Sequence, residues 1–176
     1  MYRKKNFISL GMSLVLAAGI TVTPVTAADF VYAWLKQMSA DATNGYSFIM
    51  TDYIVNGQEY NEGSVEASEV GVKAVDDQTL EVQLKSPTPY FLNLTTMDMF
   101  FPVNEAFCEE QGTNFALSPD SMLYCGPYVI TDYDPAVGVT FAKNDNYWDK
   151  DNVAIEDAQV RVIKDAAAAL SAYQAG

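Results

Sequence analysis

The chain contains no histidine, which removes most of the nucleophilic and metal chemistry a domain of this size could carry. Ser-His-Asp and Cys-His catalysis lack their base, and the usual zinc and copper sites lose a principal ligand. Two cysteines are present, Cys108 and Cys125. They form no CxxC motif and no disulfide framework. In an exported chain a Cys108–Cys125 bridge would persist, yet bonding requires a close approach of the two Cα atoms, so the spacing leaves bridge and free thiols both open.

Paired carboxylates are the remaining catalytic candidates, since two acids flanking a glycosidic bond suffice for hydrolysis. The pairs Asp76/Asp77, Glu109/Glu110 and Asp149/Asp151 all fall in turns or on helix surfaces, where solvation accounts for them. Asn144-Asp-Asn146 with Asp149 and Asp151 has the oxygen density of a calcium loop, but it lacks the central glycine and closing glutamate of an EF-hand, and a solvated turn is the preferred reading. The expectation is a non-enzymatic protein with no cofactor and no metal.

Charge narrows the partners. Ten Lys and Arg face 23 Asp and Glu, a net charge of −13, and Arg3, Lys4 and Lys5 lie at the extreme N-terminus. The rest of the chain repels phosphate backbones, so nucleic acid is not an expected partner. With 49% hydrophobic and 12% aromatic residues over 176 positions, there is enough apolar material for one domain-sized core.

Residues 1–22 have the order of a secretory leader: basic Arg3-Lys4-Lys5, an apolar stretch from Phe7 to Ile20, then small residues at Val25-Thr26-Ala27 that would extend the signal to residue 27. Leu16-Ala17-Ala18-Gly19 resembles a lipoprotein processing site, but the next residue is Ile20 rather than cysteine. A direct lipid anchor there is chemically excluded. The expectation is an exported chain, periplasmic or on the extracytoplasmic surface, with 23–176 as its folded portion.

The elements follow from periodicity. Thr26 with Asp29 marks a helix start, and Phe30, Val31, Trp34, Leu35 and Met38 place an amphipathic helix over 27–38. Asn44-Gly45 breaks the chain, Tyr46 to Ile54 is a short apolar segment of undecided type, and 56–69 reads mainly as loop. Alternation over Val70–Lys85 about Asp76-Asp77-Gln78 predicts a β-hairpin. Pro89 starts a helical turn over 90–94, and Asn104–Gln111 is a helix closed by Gly112. Strands are expected at Tyr128–Thr131, Val139–Ala142 and Gln159–Ile163, and Asp165 opens an Ala-rich helix. Interleaved helices and strands point to an α/β or, for this portion, α+β layered fold.

Together these segments resemble the oligopeptide- and dipeptide-binding family of ABC-transporter solute receptors. The stretches that carry the resemblance are Thr23 to Trp34, the hairpin Val72 to Leu84, Pro87-Thr-Pro-Tyr-Phe-Leu92, Phe101-Pro-Val-Asn-Glu105, Gly126-Pro-Tyr128, Lys143 to Asp149, and Val162-Ile-Lys-Asp165 with Ala169 to Gly176. Each is a cap, turn or core pattern, so the resemblance is to a scaffold. It implies a periplasmic-binding-protein type II-like architecture, here in part, comprising the small accessory domain and part of the first lobe. It further implies capture of a short peptide between two lobes and its delivery to ABC permease subunits in the membrane.

The resemblance carries over one ligand contact. Tyr46, in Asn44-Gly-Tyr-Ser-Phe48, aligns with a tyrosine that reaches the peptide; a tyrosine packed at a lobe surface with its hydroxyl hydrogen-bonded is the competing reading. Cys125 is unusual before Gly-Pro-Tyr. Thr23 follows the leader directly, whereas in the family that stretch lies inside the mature protein, so the chain is expected to be a truncated receptor. A non-binding fragment, an acidic extracellular interaction domain, and a same-family receptor for a non-peptide solute are the alternative functions.

Overall fold

The computed structural model describes residues 7–9, 24–42 and 45–176. The expected leader, apart from Phe7–Ser9, and Asn44 of the predicted chain break lie outside the described residues. Two compact units emerge, one holding Val25–Glu110 and the other Gln111–Gly176.

The first unit is a hairpin covered by helices. Helix α1 spans Ala27–Met38, with the boundaries its apolar spacing predicts. Its start is the expected Thr26 cap, closed with Asp29 as a capping box: the Thr26 N–H donates to Asp29 Oδ2 at 2.7 Å, and the Thr26 hydroxyl lies 3.1 Å from the same oxygen. Asp29 is buried and also accepts from the Asn104 side chain at 3.3 Å, while its carbonyl takes the Val103 N–H. The expected cap is therefore a knot tied by the acid, which suits the positive end of the helix.

Two short helices follow, α2 (Phe48–Thr51) and α3 (Gly57–Asn61). The second lies in the segment read as loop, where no apolar stripe announces it. Its cause is tertiary. Asn61 Nδ2 donates to the Met38 and Ser39 carbonyls at 3.0 and 3.1 Å, satisfying the end of α1. Gly57 allows the approach, because a Cβ there would meet the Thr51 Cα at 2.9 Å.

The hairpin forms as predicted, from β2 (Val72–Asp76) and β3 (Thr79–Val82), with Val72 opposite Val82 and a bulge between Ala74 and Asp76. A third strand, β1 (Phe7–Ser9), pairs antiparallel with β3 through Ile8 opposite Leu80. The turn is anchored to α1 by the Ala27 N–H, which donates to the Asp77 carbonyl at 2.9 Å. Helices α4 (Phe91–Leu94) and α5 (Glu105–Gln111) complete the unit. Asn104 caps α5 by accepting the Phe107 N–H. The core gathers Trp34, Met38, Met50, Ile54, Leu80, Phe91 and Phe100, with Trp34, Phe91 and Phe100 mutually edge-to-face.

The second unit is a three-stranded antiparallel sheet in the order β4 (Tyr128–Asp134), β5 (Gly138–Lys143), β6 (Asp157–Arg161). Expectation placed the last strand two residues later. Pairing with β5 sets the observed limits, from Gly138 opposite Arg161 to Ala142 opposite Asp157. The closing helix, α6 (Ala166–Ala175), is capped by Asp165, which accepts the Ala168 N–H at 2.8 Å. The α/β class stands, and every strand pairing among the described residues is antiparallel. No helix among them is long and apolar enough to cross a membrane.

Candidate functional site

Exposed aromatic side chains on the first unit are its least conventional surface feature, because burial of such groups is the usual outcome. Tyr46 and Phe48 precede and open α2, are 61% and 52% exposed, and hold their rings 6.4 Å apart. Helical geometry explains the placement: Met50, Thr51 and Ile54 turn into the core, which leaves Phe48 and Asp52 on the outer side. At the far end of α2, Tyr53 and Tyr90 stand edge-to-face with centroids 5.9 Å apart. The Tyr90 hydroxyl donates to that of Tyr53 at 3.4 Å.

That second pair is assembled across the fold. Lys85 N–H donates to the Tyr53 carbonyl at 2.8 Å, and Ile54 bridges Leu84, so the strand end delivers Pro87-Thr-Pro-Tyr90 beside Tyr53. The hydrogen bond with Tyr90, together with burial and the charge of Asp52, raises the Tyr53 pKa above that of an ordinary phenol. The Tyr53 hydroxyl is therefore a neutral hydrogen-bonding group at physiological pH. Sequence reasoning singled out Tyr46 and missed Phe48, Tyr53 and Tyr90; the only local signal for the last was a tyrosine after a proline-delimited turn.

The other candidate groups do not converge on a reaction centre. Glu109 accepts the Tyr32 hydroxyl at 2.7 Å, Lys36 Nζ donates to the same hydroxyl at 3.1 Å and to Cys108 Sγ at 3.5 Å. This clamp joins α1 to α5, and burial, then hydrogen bonding to Cys108 and Glu109, pushes the Tyr32 pKa upward. Asp76 accepts the Gln78 N–H at 2.9 Å, and that bond lowers its pKa as expected of a turn carboxylate. Asp149 accepts from Asn152, and the buried Asn144 side chain donates to the Gly126 carbonyl and accepts from Asn146 N–H. These oxygens shape a turn.

Both cysteines are free thiols, Cys108 buried and Cys125 half-buried. Burial raises the Cys125 pKa, so it is a poor thiolate source. A pocket of about 90 Å³ lies between α1 and the hairpin, lined by Ala27, Phe30, Trp34, Gln78, Leu80, Thr95 and Phe100. It is well below the few hundred Å³ of a ligand cavity and presents no ionisable side chain. What the first unit offers is two aromatic pairs at its surface, Tyr46 with Phe48 and Tyr53 with Tyr90.

Similarity to known proteins is extensive along the chain. The oligopeptide-binding protein OppA of Bacillus subtilis is 35% identical over 153 residues, covering 87% of this chain and 28% of its own length. SarA of Streptococcus gordonii, an oligopeptide-binding protein, is 40% identical over 139 residues, with 77% and 21% covered. Among solved structures, the substrate-binding domain of an oligopeptide ABC transporter from Bacillus anthracis superposes with a TM-score of 0.86 at 38% identity, over 97% of this chain and 32% of that one. OppA of Listeria monocytogenes, solved bound to peptide, gives 0.85 at 38%, over 96% and 33%. The chain thus spans about a third or less of these relatives. Because residues 22–176 match the bacterial extracellular solute-binding proteins, family 5 Middle, the chain belongs to that family.

Proposed function

We propose that this chain is part of the solute-binding component of an ABC importer, and that its first unit supplies one face of a site for oligopeptides. The observation that carries this reading is the match at 38% identity and a TM-score of 0.85 to a receptor solved with a peptide bound. A second relative, OppA of Haemophilus influenzae, was solved in complex with RPPGFSPFR. The exposed Tyr46, Phe48 and Tyr90 supply what a sequence-tolerant peptide site needs: rings that stack on varied side chains, and hydroxyls that bond main-chain groups.

In this role the protein performs no bond-making step. The ligand is released unchanged to permease subunits in the membrane, and the acidic chain, carrying −13, keeps away from nucleic acid. The basic and apolar run over residues 3–20 fits export to the extracytoplasmic side, and Ile20 excludes thioether lipidation at that point. Tyr46 is the residue assigned to peptide contact.

Isothermal titration with di- to hexapeptides tests the reading. Heat of binding that falls on Tyr46→Ala substitution supports it. Silence across the whole peptide set, with folding intact, would reject peptide binding by this chain, and heat with non-peptide chelates instead would reassign the solute.

A further inference from the structure

Helices α1 and α5 meet through four side chains that the proposed peptide site does not use. Tyr32 and Lys36 lie one turn apart on α1 and reach Cys108 and Glu109 of α5. Lys36 Nζ stands 3.5 Å from Cys108 Sγ and donates to the Tyr32 hydroxyl at 3.1 Å, with the ammonium 5.2 Å from the centre of the Tyr32 ring. The Tyr32 hydroxyl in turn donates to Glu109 Oε1 at 2.7 Å. A thiol, an amine, a phenol and a carboxylate are thus joined in one chain of contacts inside the first unit.

Amine and thiol are both nucleophiles and do not react with each other. Oxidation changes this, because a sulfenic acid is an electrophile that condenses with a neighbouring thiol or nitrogen. At Cys108 the nitrogen already in contact with the sulfur is Lys36 Nζ. Cys108 is 4% exposed, so the oxidised sulfur is shielded from a second oxidant molecule, while Lys36 is exposed and its flexible chain closes the remaining distance.

We propose that Lys36 and Cys108 form a reversible oxidative cross-link, a sulfenamide between Nζ and Sγ, with hydrogen peroxide as the oxidant. The Cys108 thiol reduces one peroxide, becoming a sulfenic acid and releasing water. The Lys36 ammonium gives a proton to the Tyr32 oxygen as Tyr32 passes its own proton to the Glu109 carboxylate. The freed amine attacks sulfur, an N–H proton leaves with the sulfenic hydroxyl as a second water, and the S–N bond remains. Sulfur loses two electrons and peroxide gains them. The product ties α1 to α5 across positions 72 residues apart, and a thiol reductant reopens it.

Intact-mass spectrometry of the full chain carrying Cys125→Ser tests this, since that substitution removes the disulfide that would give the same mass change. Hydrogen peroxide at neutral pH lowers the mass by about 2 Da, proteolysis yields a peptide pair joined through Lys36 and Cys108, and dithiothreitol returns both to the starting mass. The urea midpoint rises on oxidation and falls back on reduction, because the link closes a long loop in the unfolded chain. Lys36→Arg in the same background keeps the positive charge without the primary amine; it gains about 32 Da as the sulfinic acid, and its midpoint does not rise. Tyr32→Phe still cross-links, about tenfold more slowly, as expected of a residue that relays the proton. Circular dichroism confirms that each variant is folded. A Cys125→Ser chain that stays unmodified or only gains oxygen, or a Lys36→Arg chain that loses the same mass, would overturn the proposal.

Discussion

Trp34 Nε1 donates to the Phe100 carbonyl at 2.9 Å, from within a ring pair whose centroids are 5.1 Å apart at 88°. Both residues are buried, so one contact secures α1 to the chain that follows α4 by packing and by a satisfied polar group at once. Trp34→Phe leaves the Phe100 carbonyl without its donor and opens space beside it. The expected loss is about 2–4 kcal/mol, read as a lower urea midpoint. Far-ultraviolet circular dichroism reads both midpoints, since the substitution itself removes the buried indole that would report unfolding by fluorescence.

Asp29 is the second anchor. Its carboxylate accepts from Thr26 N–H, Thr26 Oγ1 and Asn104 Nδ2. Asp29→Ala strands these donors near the start of α1 and is expected to cost about 2 kcal/mol. Thr26→Ala removes only one of them and should cost less than half as much; equal losses would show that the hydroxyl, and not the acid, holds the helix start.

Alkaline pH should loosen the first unit. The raised pKa of Tyr32 means that the folded state holds a proton the unfolded chain gives up near pH 10. The stabilisation is therefore complete below about pH 10 and is lost as pH rises above it. Tyr53 acts in the same direction. Urea midpoints compared at pH 8 and 11 should fall for the wild type, and fall less for Tyr32→Phe.

Thiol titration tests the cysteines. With Cys108 buried and Cys125 half-buried and raised in pKa, two thiols react in urea without reductant, and both react slowly in the native chain. A titre of zero in urea would establish a Cys108–Cys125 bridge.

The sequence revealed most where a pattern is local. Helix 27–38 and the hairpin over 70–85 carry their signals in contiguous apolar spacing and turn residues. Helix α3 escaped because its sequence, Gly-Gln-Glu-Tyr-Asn, has no stripe; it exists because Asn61 completes α1 and Gly57 permits close packing. The shift of β6 has a similar origin, since the apolar residues Val162 and Ile163 run past the partner strand. At the candidate site, Tyr46 was singled out only through the family resemblance, whereas the Tyr53–Tyr90 pair joins residues far apart in the chain and depends on the hairpin's end.

Amide chemical-shift mapping reads peptide docking on the aromatic side chains of the first unit, because it detects binding as weak as about 1 mM. Short peptides added to ¹⁵N-labelled chain should perturb amides around Tyr46, Phe48, Tyr53 and Tyr90, with the perturbation reduced in Tyr46→Ala. Perturbations absent at millimolar peptide, or confined to residues 111–176, would show that these aromatic side chains hold no peptide.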